Sequence, residues 1–339
     1  MKTVWTTACA AAVLMTTVGA TGVPPTSNMA SLPAIGHALS VLTYNVEGLP
    51  WPIASGRPDN LAAIADRLKY LRARGQAPKV VVLQEAFTKD ARSIGQKAGY
   101  RYIVDGPSSD HAAPAGMNTV DPTFAAAARW WSGETEGKML GSGLQLLSDY
   151  PIVEVRRMVF PAGDCAGYDC LANKGAMLVR VAVPGLTTPV DIVTTHLNSR
   201  AASGVAKSRA DQAYARQVDL LTGFVEHARD PRNPLIVAGD FNMGKTPVRR
   251  AALFGQIEQR WSVAGSVRNA LGQAVQDRLP MPQDAVATAR RAKDWQFFAP
   301  GHAAALELTG ISVPFGREPN GDMLSDHVGY IAYFRQSAQ

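Results

Sequence analysis

The chain has 339 residues, 46% of them hydrophobic and 18% charged, which is enough for one large core or two modest ones. Its net charge of +6 suits an anionic partner such as a phosphodiester or an acidic membrane surface, but the arginines are scattered and no long Lys/Arg run marks a nucleic-acid arm. After the N-terminal segment no stretch is long and apolar enough to span a bilayer.

Lys2 precedes a small and apolar run from Val4 to Val18, and Val18-Gly19-Ala20 offers a small-residue cleavage site. Residues 1–20 therefore read as a secretory signal peptide, which places the mature protein outside the cell or in a periplasm. Residues 21–37, rich in Pro, Ser, Thr and Gly, read as a linker. Export leaves two cysteines, Cys165 and Cys170, an even count that points to a disulfide closing a short loop. A redox or metal pair is disfavoured, because no histidine lies nearby and the spacing is not that of a two-residue thiol motif.

Leu39 to Tyr44 reads as a strand running into Asn45-Val46-Glu47-Gly48. Pro50, Pro52, Gly56 and Pro58 then break regular structure. Asp59 is positioned to cap a helix with apolar residues at Leu61, Ile64, Ala65, Leu68 and Leu71, closed by Gly75. Val80 to Leu83 is a short apolar strand with Gln84-Glu85 at its end. Residues 105–138, dominated by Gly, Pro, Ala and Ser around Trp130-Trp131, read as a long loop or insertion, either one that carries substrate contacts or a disordered one.

Leu144 to Leu147 and Ile152 to Val155 read as a strand-turn-strand pair about Asp149-Tyr150-Pro151. Ala176 to Val183 and Val190 to Thr194 repeat it, ending in Thr195-His196-Leu197-Asn198. Ala210 to Val225 predicts a helix with Tyr214, Val218, Leu221 and Val225 on one face. Leu235 to Val237 is a buried strand that leads into Gly239-Asp240-Phe241-Asn242. Residues 263–293 show no clear period; Trp295 to Phe298 and Val328 to Phe334 follow, with Ser325-Asp326-His327 just before the last strand. Strands outnumber helices and no repeat is visible, which argues for sheet packed on sheet with helices outside.

Polar residues recur where these strands stop: Asn45, Glu85, His196, Asn198, Asp240, Asn242, Asp326 and His327. Each alone has a structural reading, as a turn former, a cap or a hydrogen-bonded histidine. A carboxylate left unpaired at the end of a buried strand is costly, however, and here the pattern repeats over most of the chain.

On Leu42-Thr43-Tyr44-Asn45, Leu83-Gln84-Glu85, Gly143-Leu144-Gln145-Leu146-Leu147-Ser148, Thr195-His196-Leu197, Gly239-Asp240-Phe241-Asn242 and Ser325-Asp326-His327, the sequence resembles the endonuclease/exonuclease/phosphatase superfamily. That superfamily includes DNase I-like nucleases, inositol-polyphosphate 5-phosphatases and neutral sphingomyelinases. The resemblance implies an α/β fold, a four-layer α/β/β/α sandwich of two packed mixed sheets flanked by helices, over residues 38–336. It implies a divalent cofactor, Mg²⁺ or Mn²⁺, with Glu85 and Asn45 as ligands and Asp326 as a further or water-mediated one. By the same resemblance His327 is the general base and Asp294 its orienting carboxylate. Asp240 orients the attacking water, Asn242 donates to a phosphoryl oxygen, and His196 contacts the phosphate or assists the leaving group. Such residue types suit the chemistry: a phosphodiester is anionic, so hydrolysis needs charge neutralisation and an activated water, and an imidazole titrates near neutrality.

Gln84-Glu85-Ala86-Phe87 and Ala172-Asn173-Lys174-Gly175-Ala176 are similar to the secreted sphingomyelinase branch, which points to Lys174 and Asn173, and at the site's edge Asn198, as substrate contacts. Trp51, Phe124, Trp130 and Trp131 are candidates for a bilayer interface. The exposed aromatic hairpin of bacterial sphingomyelinases has no counterpart in residues 263–293. The expectation is thus a secreted, monomeric, metal-dependent phosphodiesterase acting on a lipid. A nuclease or another phosphatase of the superfamily is the alternative. A catalytically dead binding module is disfavoured because Glu85, Asp240, Asn242 and His327 are all present.

Overall fold

The chain is described by a computed structural model over residues 39–113 and 121–337. The expected signal peptide and linker lie outside the described residues. Twelve strands form: β1 (Leu39–Asn45), β2 (Val80–Gln84), β3 (Tyr102–Asp105), β4 (Gln145–Ser148), β5 (Ile152–Val159), β6 (Gly175–Val181), β7 (Val190–His196), β8 (Leu235–Asp240), β9 (Arg268–Asn269), β10 (Asp294–Ala299), β11 (Leu306–Phe315) and β12 (Gly329–Gln336). The helices are α1 (Arg57–Ala73), α2 (Lys89–Arg92), α3 (Ile94–Lys97), α4 (Pro122–Ala126), α5 (Lys207–Ala228), α6 (Pro247–Trp261), α7 (Ala270–Gln276) and α8 (Gln283–Arg291).

The strands make two six-stranded sheets, in the orders β11-β12-β1-β2-β4-β3 and β5-β6-β7-β8-β10-β9. Each sheet contains one parallel pair, β1 with β2 and β7 with β8, and each pair is joined through a long helix, α1 or α5. A parallel pair needs such a crossover, and the apolar faces of both helices cover the outsides of the sheets. Leu42, Val81 and Leu83 pack with Leu61, Ile64 and Leu68 of α1. Val193, Val237 and Phe297 pack with Tyr214, Val218 and Leu221 of α5 and Leu253 and Trp261 of α6. Between the sheets lies a third apolar layer with Val41, Val80, Val82, Ile192, Ile236, Ala238 and Phe298. The molecule is the four-layer α/β/β/α sandwich that the resemblance implies.

This layering decides where the polar strand ends go. Side chains alternate with a period of two. The inter-sheet face therefore runs from Val41 through Thr43 to Asn45, from Ile192 through Thr194 to His196, and from Ile236 through Ala238 to Asp240. On β10 it runs backwards from Phe298 through Gln296 to Asp294, which is registered opposite Asp240. Four polar residues thus reach one end of the inter-sheet layer, two sheets contributing to one place. Just beneath them, Gln84 Nε2 donates to Thr194 Oγ1 at 3.4 Å and Gln296 Nε2 donates to the carbonyls of Val41 and Tyr330 at 3.1 and 3.2 Å, tying sheet to sheet.

Three local expectations need correction. β4 and β5 are not a hairpin: β4 pairs with β2 and β3, whereas β5 pairs with β6 in the other sheet. Asp149-Tyr150-Pro151 is therefore the crossing between sheets, which a turn signal alone does not distinguish. Helix α1 starts at Arg57, so Asp59 lies in its first turn rather than at its cap, and Pro58 is inside the helix. Proline is tolerated there because the first-turn N–H groups have no intrahelical partner. Residues 263–293 hold α7 and α8, whose short apolar faces, Ala270, Leu271, Ala274 and Ala285, read as Ala-rich polar sequence.

Candidate active site

Asn45 stands at the centre. Its Nδ2 donates to Glu85 Oε1 at 2.9 Å and to Asp240 Oδ2 at 3.2 Å, so one amide joins carboxylates carried by different sheets. Its Oδ1 accepts the Glu47 N–H at 3.0 Å. Glu85 follows β2 with φ of 58°, and Glu47 and Asn242 also have positive φ, at 50° and 47°. Left-handed backbone is unfavourable for such residues and clusters where function overrides local preference. Two glycines permit the close approach of neighbouring backbone: a Cβ on Gly48 would sit 2.5 Å from the Glu85 carbonyl oxygen, and one on Gly239 would sit 2.2 Å from that of Thr195.

Phe241 is fully buried against Phe297 at 5.2 Å and anchors the turn after β8. Asp240 and Asn242 flank it. Asp240 Oδ1 accepts the Asn242 N–H at 2.9 Å, and the Asn242 amide donates to the Leu197 carbonyl at 3.0 Å and meets His196 Nε2 at 3.1 Å. Because the Leu197 contact fixes that amide's orientation, His196 Nε2 is the acceptor. Burial, then the Lys174 ammonium, hold the ring neutral, down at about 3. His196 Nε2 lies 3.5 Å from Asp240 and 3.9 Å from Glu85.

The third part is a dyad. His327 Nδ1 lies 2.8 and 2.9 Å from the two Asp294 oxygens, and its Nε2 lies 3.6 Å from Asp240 Oδ2. Ser325 fixes the loop, its hydroxyl donating to the Asn45 carbonyl at 2.6 Å and accepting the His327 N–H at 3.2 Å. Burial alone would depress His327, but the Asp294 and Asp240 carboxylates raise it to about 9. Burial opposes the charge of Asp240, yet the charged His327 ring and Lys293 hold its carboxyl below the usual range. Burial dominates at Glu85 and lifts its carboxyl to about 7, against the Asn45 hydrogen bond.

The outer residues sit differently. Asp326 is at the mouth, its side chain 59% exposed and 3.8 Å from His327 Nε2. Lys174 is buried, paired with Asp169 and donating to the Leu197 carbonyl at 3.2 Å. Asn173 donates to the carbonyls of Ser108 and His111 at 2.8 and 2.9 Å, holding the long loop. Asn198 is fully buried beneath the site, accepting the Ala166 N–H at 2.9 Å and donating to the Ser199 carbonyl at 2.8 Å. Phe124 is buried under the guanidinium groups of Arg209 and Arg216, at 4.1 and 4.5 Å, and is not available to an interface. Cys165 and Cys170 form a disulfide.

Residues 42–327 match the model of the endonuclease/exonuclease/phosphatase family. The chain belongs to that family. Solved structures with the same fold include Staphylococcus aureus beta toxin, at 18% identity over 87% of this chain and 99% of that one, with a TM-score of 0.56. Sphingomyelinase C from Streptomyces griseocarneus matches at 21% identity over 87% and 98%, with a TM-score of 0.53. D. rerio TDP2, solved with a single-strand DNA product, matches at 16% identity over 88% and 98%, with a TM-score of 0.53. At such identities the likeness shows the fold. No curated protein sequence matches the chain.

Enzymes of this family use divalent metals, and the donor set here fits one. Glu85 is largely buried, and among the described residues its one ion-pair contact is His196, a neutral ring. With Asp240 it forms a pair of carboxylates bridged by Asn45, whose charge a hard cation would balance. Asn45 presents its amino group to this pair, and its oxygen accepts the Glu47 N–H. Asp240, Asp294 and His327 also bring ligand atoms within 4.8 Å of one another. Two of those are already joined as the dyad, which favours the Glu85 side for a cation.

Arg249, which lies outside every sequence motif above, is fully buried and touches both loops that carry site residues. An arginine on an amphipathic helix carries no signal of that kind. Only its place in the 247–261 segment, immediately after the Gly-Asp-Phe-Asn turn, hints at it.

Proposed function

We propose that this family member is a secreted phosphodiesterase that hydrolyses lipid phosphodiesters of the sphingomyelin type at a membrane surface. Glu85 and Asp240 would hold a divalent ion, which would supply Lewis-acid neutralisation of phosphoryl charge. His327, oriented by Asp294, takes the proton of the attacking water through Nε2, the nitrogen that faces Asp240, once a cation beside Asp240 offsets the carboxylate charge that otherwise keeps the ring protonated. Asp240 positions that water, and Asn242, its amide aligned by His196 and the Leu197 carbonyl, donates to a phosphoryl oxygen. Lys174 contributes positive charge from behind His196, and Asp326 stands where the substrate enters.

The observation that carries the lipid reading is the distribution of exposed aromatic surface. Strand directions put the loops after β1 and β3, and the one before β6, at the site end of the sheets. Trp51, Trp130, Trp131 and Tyr168 lie on those loops and are 82%, 67%, 62% and 54% exposed. Tryptophan and tyrosine partition well into membrane interfaces. The Cys165–Cys170 disulfide supports an oxidising compartment. The sphingomyelinase C likeness is in keeping with this reading, and the net charge of +6 suits anionic lipid.

The TDP2 likeness keeps a nucleic-acid substrate as the second reading. Purified protein with Mg²⁺ should be assayed on sphingomyelin vesicles, phosphatidylcholine vesicles and plasmid DNA side by side. Phosphocholine release from sphingomyelin vesicles is the expected result. DNA nicking without lipid turnover would replace the lipid reading with the nuclease one.

A further inference from the structure

Arg249 lies on α6, outside every motif that carries the chemistry, and its side chain is 0% exposed. Burying a guanidinium is costly unless its donors are used. Here the two Nη groups are used on the backbone of the site. Nη1 donates to the Asn198 and Asn242 carbonyls, both at 2.8 Å, and Nη2 donates to the Ser199 carbonyl at 3.3 Å. Nε donates to Asp211 Oδ1 at 2.6 Å, and the guanidinium lies 4.4 Å from the centre of the Tyr214 ring, both residues belonging to α5.

One fork therefore bridges the loop after β7, which follows His196, and the loop after β8, which carries Asn242. Those loops must keep a fixed spacing, because the Asn242 amide meets His196 Nε2 at 3.1 Å across the gap. Asn242 also has a φ of 47°, in the left-handed region that asparagine tolerates. Its carbonyl is the one Arg249 holds. A lysine cannot reproduce three carbonyl contacts from a planar fork.

We propose that Arg249 is a positioning residue, whose guanidinium sets the separation of the His196 and Asn242 loops and so aligns the Asn242 amide for the phosphoryl oxygen. The inference rests on the hydrolytic reading above for its catalytic consequence, though not for its geometric one. Asp211 in turn orients the fork, and it also accepts from Arg200 at 3.0 Å.

The test compares Arg249→Lys with Trp261→Phe, which disturbs the same helix in the α5–α6 core, where the Trp261 ring donates to the Thr222 carbonyl and packs on Phe297. Turnover of bis(p-nitrophenyl) phosphate with Mg²⁺ and the side-chain amide NMR signal of Asn242 are measured in both, beside thermal stability. Arg249→Lys should lower kcat about 10- to 100-fold with KM within about two-fold, the scale of a lost orienting contact. It should also shift the Asn242 amide signal. Trp261→Phe at a comparable loss of Tm should do neither. Equal activity losses in the two variants, or an unmoved Asn242 signal in Arg249→Lys, would overturn the proposal. If Arg249→Lys does not fold, Asp211→Asn is judged by the same criteria. Should the wild type cleave no phosphodiester, the functional reading fails, and the NMR comparison still decides the role of Arg249.

Discussion

The two halves of the sandwich solve one problem with the same parts. In the first sheet β1 and β2 run parallel through α1, β1 ending at Asn45 and β2 just before Glu85; in the second, β7 and β8 run parallel through α5 and end at His196 and Asp240. Each half has a buried arginine on its site loops. Arg57 donates to the Val46, Glu47 and Leu324 carbonyls at 2.7, 2.8 and 2.8 Å, as Arg249 does to Asn198, Ser199 and Asn242. The halves differ in charge. The first supplies an acid that burial has pushed up to about 7, and the second an acid that the charged His327 ring keeps ionised. Repeated topology thus delivers the side chains to one place, while the surroundings of each strand end give its carboxylate a different task.

The comparison is broken most severely at His327, which belongs to neither parallel pair and serves both. His327→Ala should lower kcat by about 10²- to 10⁴-fold, the range of a lost general base, with circular dichroism unchanged. A rate near that of the wild type would remove His327 from the chemistry.

The difference between the two acids is sharpened by pH. Glu85 titrates at about 7 in the fold against an ordinary 4.5, so between those values the folded state holds a proton that the unfolded chain has released. Stability therefore falls as pH rises through that window. His327, at about 9 against 6.5, gives a further loss from 6.5 to 9. Below pH 6.5 the neutral His196, held at about 3, offsets the Glu85 loss, so metal-free protein should lose thermal stability chiefly from pH 6.5 towards 9, and saturating Mg²⁺ should recover the Glu85 share above pH 7. Scanning calorimetry across pH checks both; a Tm that climbs from pH 5 to 9 without metal would contradict the assignment.

The smallest effect belongs to the disulfide, which braces only the second half. Cys165 and Cys170 are five residues apart and enclose Asp169, the partner of Lys174 and Ser199. So short a loop is worth about 2 kcal/mol by chain entropy. Denaturant titration of Cys165→Ala/Cys170→Ala should show a loss of that order; a loss of ~5 kcal/mol or more, the top of the usual range, would mean the loop does more than brace.

Much of this site was legible because strand periodicity and site chemistry coincide. Asn45, His196, Asp240 and Asp294 end the inter-sheet faces of apolar strands, so alternation that buries Val41 or Ile236 also aims the polar end. What was hidden depends on contacts between distant segments. Asn173 and Asn198 share their residue type with Asn242, yet their amides are tied to backbone at the loop base and beneath the site. Phe124 looks like an interface aromatic until Arg209 and Arg216 cover it. The β4–β5 crossing looks like a hairpin because a turn does not encode which sheet the next strand joins.

Calorimetric titration of Mn²⁺ into the wild type, Glu85→Gln and Asp240→Asn tests most directly whether the two sheets build one cation-dependent centre. Saturable binding in the wild type that is lost or strongly weakened in both variants, although the residues stand on different sheets, is the predicted result. Binding that survives unchanged in either variant would contradict a shared centre.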